Sequence, residues 1–69
     1  MLKKDIGFLI KTRRKELKIN QAILAELAGI SVNTLYKIER EQANPTIDVL
    51  GKILEVLGME IIIKVKSQD

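Results

Sequence analysis

The chain has 69 residues, 46% of them hydrophobic, and a net charge of +3, which is enough for one small core and too apolar for a disordered chain. It has no Cys and no His, so a disulfide framework, a zinc site and a Cys–His or Ser–His catalytic pair are excluded, and no enzyme and no cofactor are expected. Phe8 and Tyr36 are the only aromatics, too few for the stacking platforms that bind single-stranded nucleic acid. The charge is uneven. Residues 1–18 hold seven basic side chains against two acidic ones, so this part carries +5 and the remainder −2. A basic end on a small domain suits contact with phosphates. The apolar run Ile6–Ile10 is too short for a signal-peptide core or a membrane span, so the expected compartment is the cytoplasm, with no membrane partner.

Four helical segments and one strand-like tail follow in order. The first spans about Lys4 to Leu17, with Ile6, Leu9, Ile10 and Leu17 at helical spacing. The second spans Gln21 to Ala28, with Asn20 as its N-cap and Gly29 as its stop. The third follows Ser31, another N-cap, and directs Leu35 and Ile38 inward. Asn44-Pro45 breaks the chain. Thr46 then caps a fourth helix with the stripe Ile47, Leu50, Ile53, Leu54 and Leu57, which Gly58 ends.

The tail from Met59 to Lys66 is rich in β-branched residues and reads as a strand. Ile61, Ile63 and Val65 share one face; Glu60, Ile62, Lys64 and Lys66 share the other. No second strand is evident in the chain. A lone strand leaves its backbone groups unpaired, and the same strand of a second copy, across a two-fold axis, would satisfy them. Ile61, Ile62, Ile63 and Val65 are therefore the expected dimer interface. The expected division is a helical domain over 1–58 and a dimerisation tail over 59–69.

The segment Gln21–Glu39 holds two short helices joined by a tight turn at Gly29-Ile30-Ser31. Ala25 lies four residues before Gly29, and its methyl group lets the helices cross closely. Leu24, Ala28, Ile30, Leu35 and Ile38 supply the apolar contacts that set the crossing. These features specify a helix-turn-helix, whose second helix can enter a DNA major groove.

The pattern Gln21, Leu24-Ala25, Gly29-Ile30-Ser31, Thr34-Leu35, Ile38-Glu39-Arg40, Pro45-Thr46 and Leu50 resembles the lambdoid repressor and Cro family, also called the Xre family. The resemblance covers about Ile6 to Leu57. It implies a mainly α, four- to five-helix repressor-like domain, here with a short C-terminal strand paired across a dimer. It also implies a homodimeric repressor that binds double-stranded DNA and reads a palindromic operator. Val32, Asn33, Tyr36 and Lys37 match positions that face base edges. Asn33 suits adenine, Lys37 guanine or a phosphate, and Val32 a thymine methyl. Gln21, Ser31 and Thr34 match positions near phosphates, and Lys11 and Lys18 of the basic end join them. Arg14 and Glu39 match a pair that orients helices and belong to the scaffold.

Two features depart from the family pattern. Glu41 stands where the family usually has a glycine in a left-handed turn. Either the third helix ends differently, near Asn44, or the chain accepts a cost of about 1 kcal/mol. Ile23 and Leu27 occupy positions usually polar, and are expected to cover Phe8 or the tail, or else to form a patch for a protein partner. The tail is similar to that of Hip-type antitoxins, so a second reading is a DNA-binding antitoxin with a toxin protein as partner. A third is a protein-interaction adaptor that does not bind DNA.

Overall fold

In the computed structural model, residues 3–67 are described, with the side chains of residues 3–5 left aside. The helices are α1 (Lys3–Glu16), α2 (Gln21–Ala28), α3 (Val32–Glu39) and α4 (Ile47–Leu57). The architecture is mainly α, and four helices, not five, form among the described residues.

Local chemistry sets most of the boundaries. The side chains of Asn20, Ser31 and Thr46 accept hydrogen bonds from the backbone N–H groups of Ile23, Thr34 and Val49, at 2.8, 3.0 and 3.1 Å. Each satisfies one of the donors that a helix start leaves without an internal partner. Gly29 ends α2 at φ 73°, a conformation that costs a residue with a Cβ. The Ile30 N–H then reaches back to the carbonyl of Ala25, at 3.0 Å, which closes the turn of the helix pair.

The core joins all four helices. Ile10, Leu24, Leu35, Ile38, Ile53 and Leu57 are its largest fully enclosed side chains. Ala25 and Ala28 are also buried, on the face of α2 that meets its neighbours. Helix α2 packs on both α3 and α4, and α1 packs on α3 and α4. Burying a side chain of this size contributes about 1.5–3 kcal/mol, so six such residues dominate the stabilising side of a domain this small.

The inward face of α1 differs from the expected stripe. Gly7, Ile10 and Arg14 are its buried residues, while Leu9 and Leu17 stay 38% and 39% exposed. Gly7 lies where α1 passes close to the end of α3. A Cβ at this position would collide with the carbonyl oxygen of Ile38 and stand 2.7 Å from a carboxylate oxygen of Glu41. Arg13, one residue before the buried Arg14, donates from Nε to the carbonyl of Leu57 at 3.0 Å and so ties α1 to the last turn of α4.

Helix α3 ends at Glu39, with Arg40 as its cap, and Glu41 takes the left-handed conformation at φ 62°. The turn is that of a glycine-terminated helix built without the glycine. The alternative ending near Asn44 does not occur. Part of the strain is offset by the side chain, which accepts a hydrogen bond from the Phe8 backbone N–H at 3.2 Å. Lys18, in the α1–α2 turn, is the other left-handed residue with a Cβ among those described, at φ 59°.

The expected cover by Ile23 and Leu27 does not form. They are 43% and 63% exposed, and Phe8 is 65% exposed. Residues 59–67 form no strand in the single chain. Met59 packs against the core, and Ile61 and Ile62 border a groove between α1 and α4.

Candidate nucleic-acid interface

The exposed face of α3 follows from its amphipathic pattern. Leu35, Ile38 and Glu39 turn inward, which leaves Val32, Asn33, Tyr36 and Lys37 on the outer side. These are the four residues assigned to base edges. They present one apolar group, an amide, a phenol and an ammonium on about one and a half turns of helix. Arg40, at the end of α3, lies over the Tyr36 ring at 5.3 Å from its centroid. A contact of this type is worth about 0.5–1 kcal/mol at an exposed site. Sequence reasoning had not given Arg40 a place beside the recognition face; its spacing of four residues from Tyr36 on a helix was the available signal.

A buried polar network holds this helix in place. Arg14 donates from Nε and Nη2 to the two carboxylate oxygens of Glu39, at 2.8 and 2.9 Å. Both side chains are nearly enclosed, with Arg14 8% and Glu39 7% exposed. The carboxylate keeps the guanidinium charged, raising its pKa further against the opposing effect of burial. Arg14 also donates from Nη1 to the carbonyl of Ile19, at 3.0 Å, in the turn that leads to α2. The arrangement is bidentate and charge-assisted, the geometry in which such pairs are strongest.

Gln21 belongs to the same network, which the sequence had not disclosed. Its Nε2 donates to Glu39 Oε1 at 3.0 Å, so the residue that opens α2 is oriented by the residue that ends α3. One amide N–H is used in this way, which leaves the other N–H of the half-buried Gln21 as a further donor.

The other assigned phosphate ligands lie in two places. Ser31 and Thr34 are adjacent at the start of α3. The Ser31 hydroxyl donates to Thr34 Oγ1 at 2.8 Å while accepting from the Thr34 N–H. This leaves the Thr34 hydroxyl hydrogen for an outside acceptor. Lys11 and Lys18 are exposed on α1 and on its following turn, and neither forms an ion pair among the described residues. Gln21 meets the Arg14–Glu39 pair directly; no side-chain hydrogen bond or ion pair joins Lys11 or Lys18 to that network among the described residues. No group of three or more potential metal ligands occurs among the described residues, and no helix there is long and apolar enough to cross a membrane.

Residues 10–63 match the family model described as helix-turn-helix. The chain is similar to the immunity repressor protein of Bacillus phage phi105, at 39% identity over 56 residues, which is 81% of this chain and 39% of that protein. It is similar to the HTH-type transcriptional regulator SinR of Bacillus licheniformis, at 38% identity over 65 residues, 93% of this chain and 59% of the relative. A protein of Methanococcus maripaludis (strain C5) matches at 39% identity over 56 residues, 81% of this chain and 17% of its own length. The chain thus spans from about a sixth to about three fifths of the length of these curated relatives.

Proposed function

Because this chain belongs to the helix-turn-helix family of the Xre type, we propose that it is a sequence-specific DNA-binding transcriptional repressor that lays α3 in the major groove. The observation that carries this reading is the exposed row Val32, Asn33, Tyr36 and Lys37, on a helix held to α1 and α2 by the buried Arg14–Glu39–Gln21 network. Base readout needs side chains with donors and acceptors on a rigid element, and this row supplies both.

The roles divide by chemistry. Asn33 pairs bidentately with an adenine, Lys37 donates to guanine acceptors or a nearby phosphate, and Val32 lies against a thymine methyl. Gln21 and Thr34 turn their remaining donors to phosphates on either side of the groove, and the α2 N-terminus adds a favourable partial charge. Lys11 and Lys18 add sequence-independent attraction. Two copies related by a two-fold axis place their α3 helices about 34 Å apart, one turn of DNA, so the operator is palindromic. Repression follows when the occupied site overlaps a promoter.

A second reading, a DNA-binding antitoxin with a toxin protein as partner, draws support from the exposed pair Ile23 and Leu27 on α2. It is tested by whether Ile23→Ser/Leu27→Ser abolishes co-purification with the product of the adjoining gene while DNA binding persists.

The test of the main reading is a fluorescence-anisotropy titration with the duplex upstream of the protein's own gene and a scrambled duplex, at two salt concentrations. Preference for the first duplex, with affinity that falls steeply with salt, is the expected result. Equal affinity for both removes self-regulation at that site. No binding at low salt removes the DNA-binding reading.

A further inference from the structure

The tail carries the most exposed large apolar side chains among the described residues. Ile63 and Val65 are each 92% exposed, against 44% for Ile61, while Met59 is packed on the core. Beneath residues 59–62 lies a groove of about 250 Å³, walled by Leu9 and Ile10 of α1 and by Leu50 and Leu54 of α4. The single chain therefore has an incompletely filled apolar groove and, a few residues on, two apolar side chains with nothing to cover.

We infer that the groove is completed by a second copy of this chain, whose tail pairs antiparallel with the first in a register centred on Ile62. The inference rests on the two-fold dimer of the proposed function and adds to it the register and the source of the groove's missing wall. The register follows from the side chains. In an antiparallel pair, residues directly opposite one another point to the same side. Centring on Ile62 sets Ile61 opposite Ile63, Met59 opposite Val65 and Glu60 opposite Lys64, with Ile62 opposite itself. Every pair is then apolar with apolar or acid with base. Centring on Ile63 instead sets Ile62 opposite Lys64 and Met59 opposite Ser67. Centring on Lys64 sets that lysine opposite its own copy, and centring on Ile61 sets Glu60 opposite Ile62. A register centred between two residues, such as Ile62 and Ile63, sets Ile61 opposite Lys64 and so mixes the two faces.

The same register brings the exposed residues to the groove. In the single chain Met59, Glu60, Ile61 and Ile62 all border it; once the tail is a strand, its alternation keeps Met59 and Ile61 on one side, and Val65 and Ile63 of the other copy, opposite them, join that side and close the groove. The exchange is reciprocal across the axis, so each domain's groove is sealed by its partner's tail. The backbone donors and acceptors of 59–65 pair at the same time, which answers the absence of a strand in one copy.

The chain has no native cysteine, so single substitutions report the register directly. Cysteines are placed one at a time at positions 60–66 of the full chain and oxidised, and dimer is scored on a non-reducing gel. In the inferred register, position 62 faces its own copy at about 5 Å between Cα atoms, within the roughly 4.4–6.8 Å that a disulfide spans. Position 63 is two residues, or about 6.6 Å, out of line, so its copies stand about 8 Å apart. The expected result is a sharp maximum at Ile62→Cys, at least ten-fold faster than its neighbours. In the full chain, Glu60→Lys and Lys64→Glu should each weaken the dimer several-fold and the double exchange should restore it. The methyl resonance of Met59 should shift with protein concentration as the partner's Val65 seats beside it. A dimer by sedimentation whose cross-linking peaks elsewhere, or is flat, overturns the register while leaving the two-fold reading standing. A chain that sediments as a monomer at all concentrations overturns both.

Discussion

Glu39 and Arg14 meet through two parallel hydrogen bonds of 2.8 and 2.9 Å, and the same carboxylate receives the amide of Gln21 at 3.0 Å. One buried anion thus links the ends of three helices, and it does so directly behind the face assigned to DNA. Removing one member strands the other in the core. Glu39→Ala or Arg14→Ala should lower stability by about 3–5 kcal/mol, whereas the double replacement Arg14→Met/Glu39→Leu should come close to the parent. Urea denaturation of the three variants checks this. Comparable losses in the single and the double variants would contradict it.

Gly7 is a packing device. Any Cβ there meets the Ile38 carbonyl oxygen and the Glu41 carboxylate. Gly7→Ala improves intrinsic helix propensity by about 1 kcal/mol, yet overpacking against backbone costs about 1–3 kcal/mol. We predict net destabilisation and a lower melting temperature. Gly51, exposed on α4 with open space around it, is the internal control. Gly51→Ala should raise stability by roughly 0.5–1 kcal/mol. The opposite signs at two helical glycines distinguish contact from propensity.

The left-handed pair Lys18 and Glu41 separates strain from compensation. Both pay for positive φ, but the Glu41 side chain also accepts the Phe8 N–H. Lys18→Gly should stabilise the fold by up to about 1 kcal/mol. Glu41→Gly should gain less, or lose, because it gives up a hydrogen bond worth about 0.5–1.5 kcal/mol. Thermal melts of the two variants, compared with the parent, give the order.

The helix boundaries were legible because they are local. Asn20, Ser31 and Thr46 cap helices from within three residues, and Gly29 and Gly58 end them in the left-handed region. The row Val32, Asn33, Tyr36 and Lys37 came from family resemblance, and the structure leaves all four exposed on the outer side of α3. The Arg14–Glu39 pair came from family resemblance, and the structure forms it. What escaped was long-range. Nothing local marks Gly7 as the place where Ile38 and Glu41 close on α1, and Glu41, a departure from the family pattern, proves to accept the Phe8 N–H. The bond from Gln21 to Glu39 crosses 18 positions of sequence, and no periodicity marks it. The tail has a strand's composition, yet residues 59–67 form no strand in the single chain, because composition sets the propensity of a strand and not its pairing.

Phosphate and base contacts should part under mutation. Lys11→Ala and Lys18→Ala should weaken binding to every duplex alike and reduce the salt slope by about 1 each. Anisotropy titrations over a range of salt concentrations measure this. An unchanged slope in both would place phosphate contact elsewhere on the domain.

The most direct test of the central claim is selection from a random duplex library, run side by side with the parent protein and with Asn33→Ala. Recognition by α3 predicts that the parent enriches a two-fold symmetric motif with adenine at one fixed position in each half-site. It predicts that Asn33→Ala loses about 1–3 kcal/mol of discrimination at those two positions while the rest of the motif and the melting temperature persist. An identical motif from both proteins, or no motif from the parent, would contradict base reading by this face.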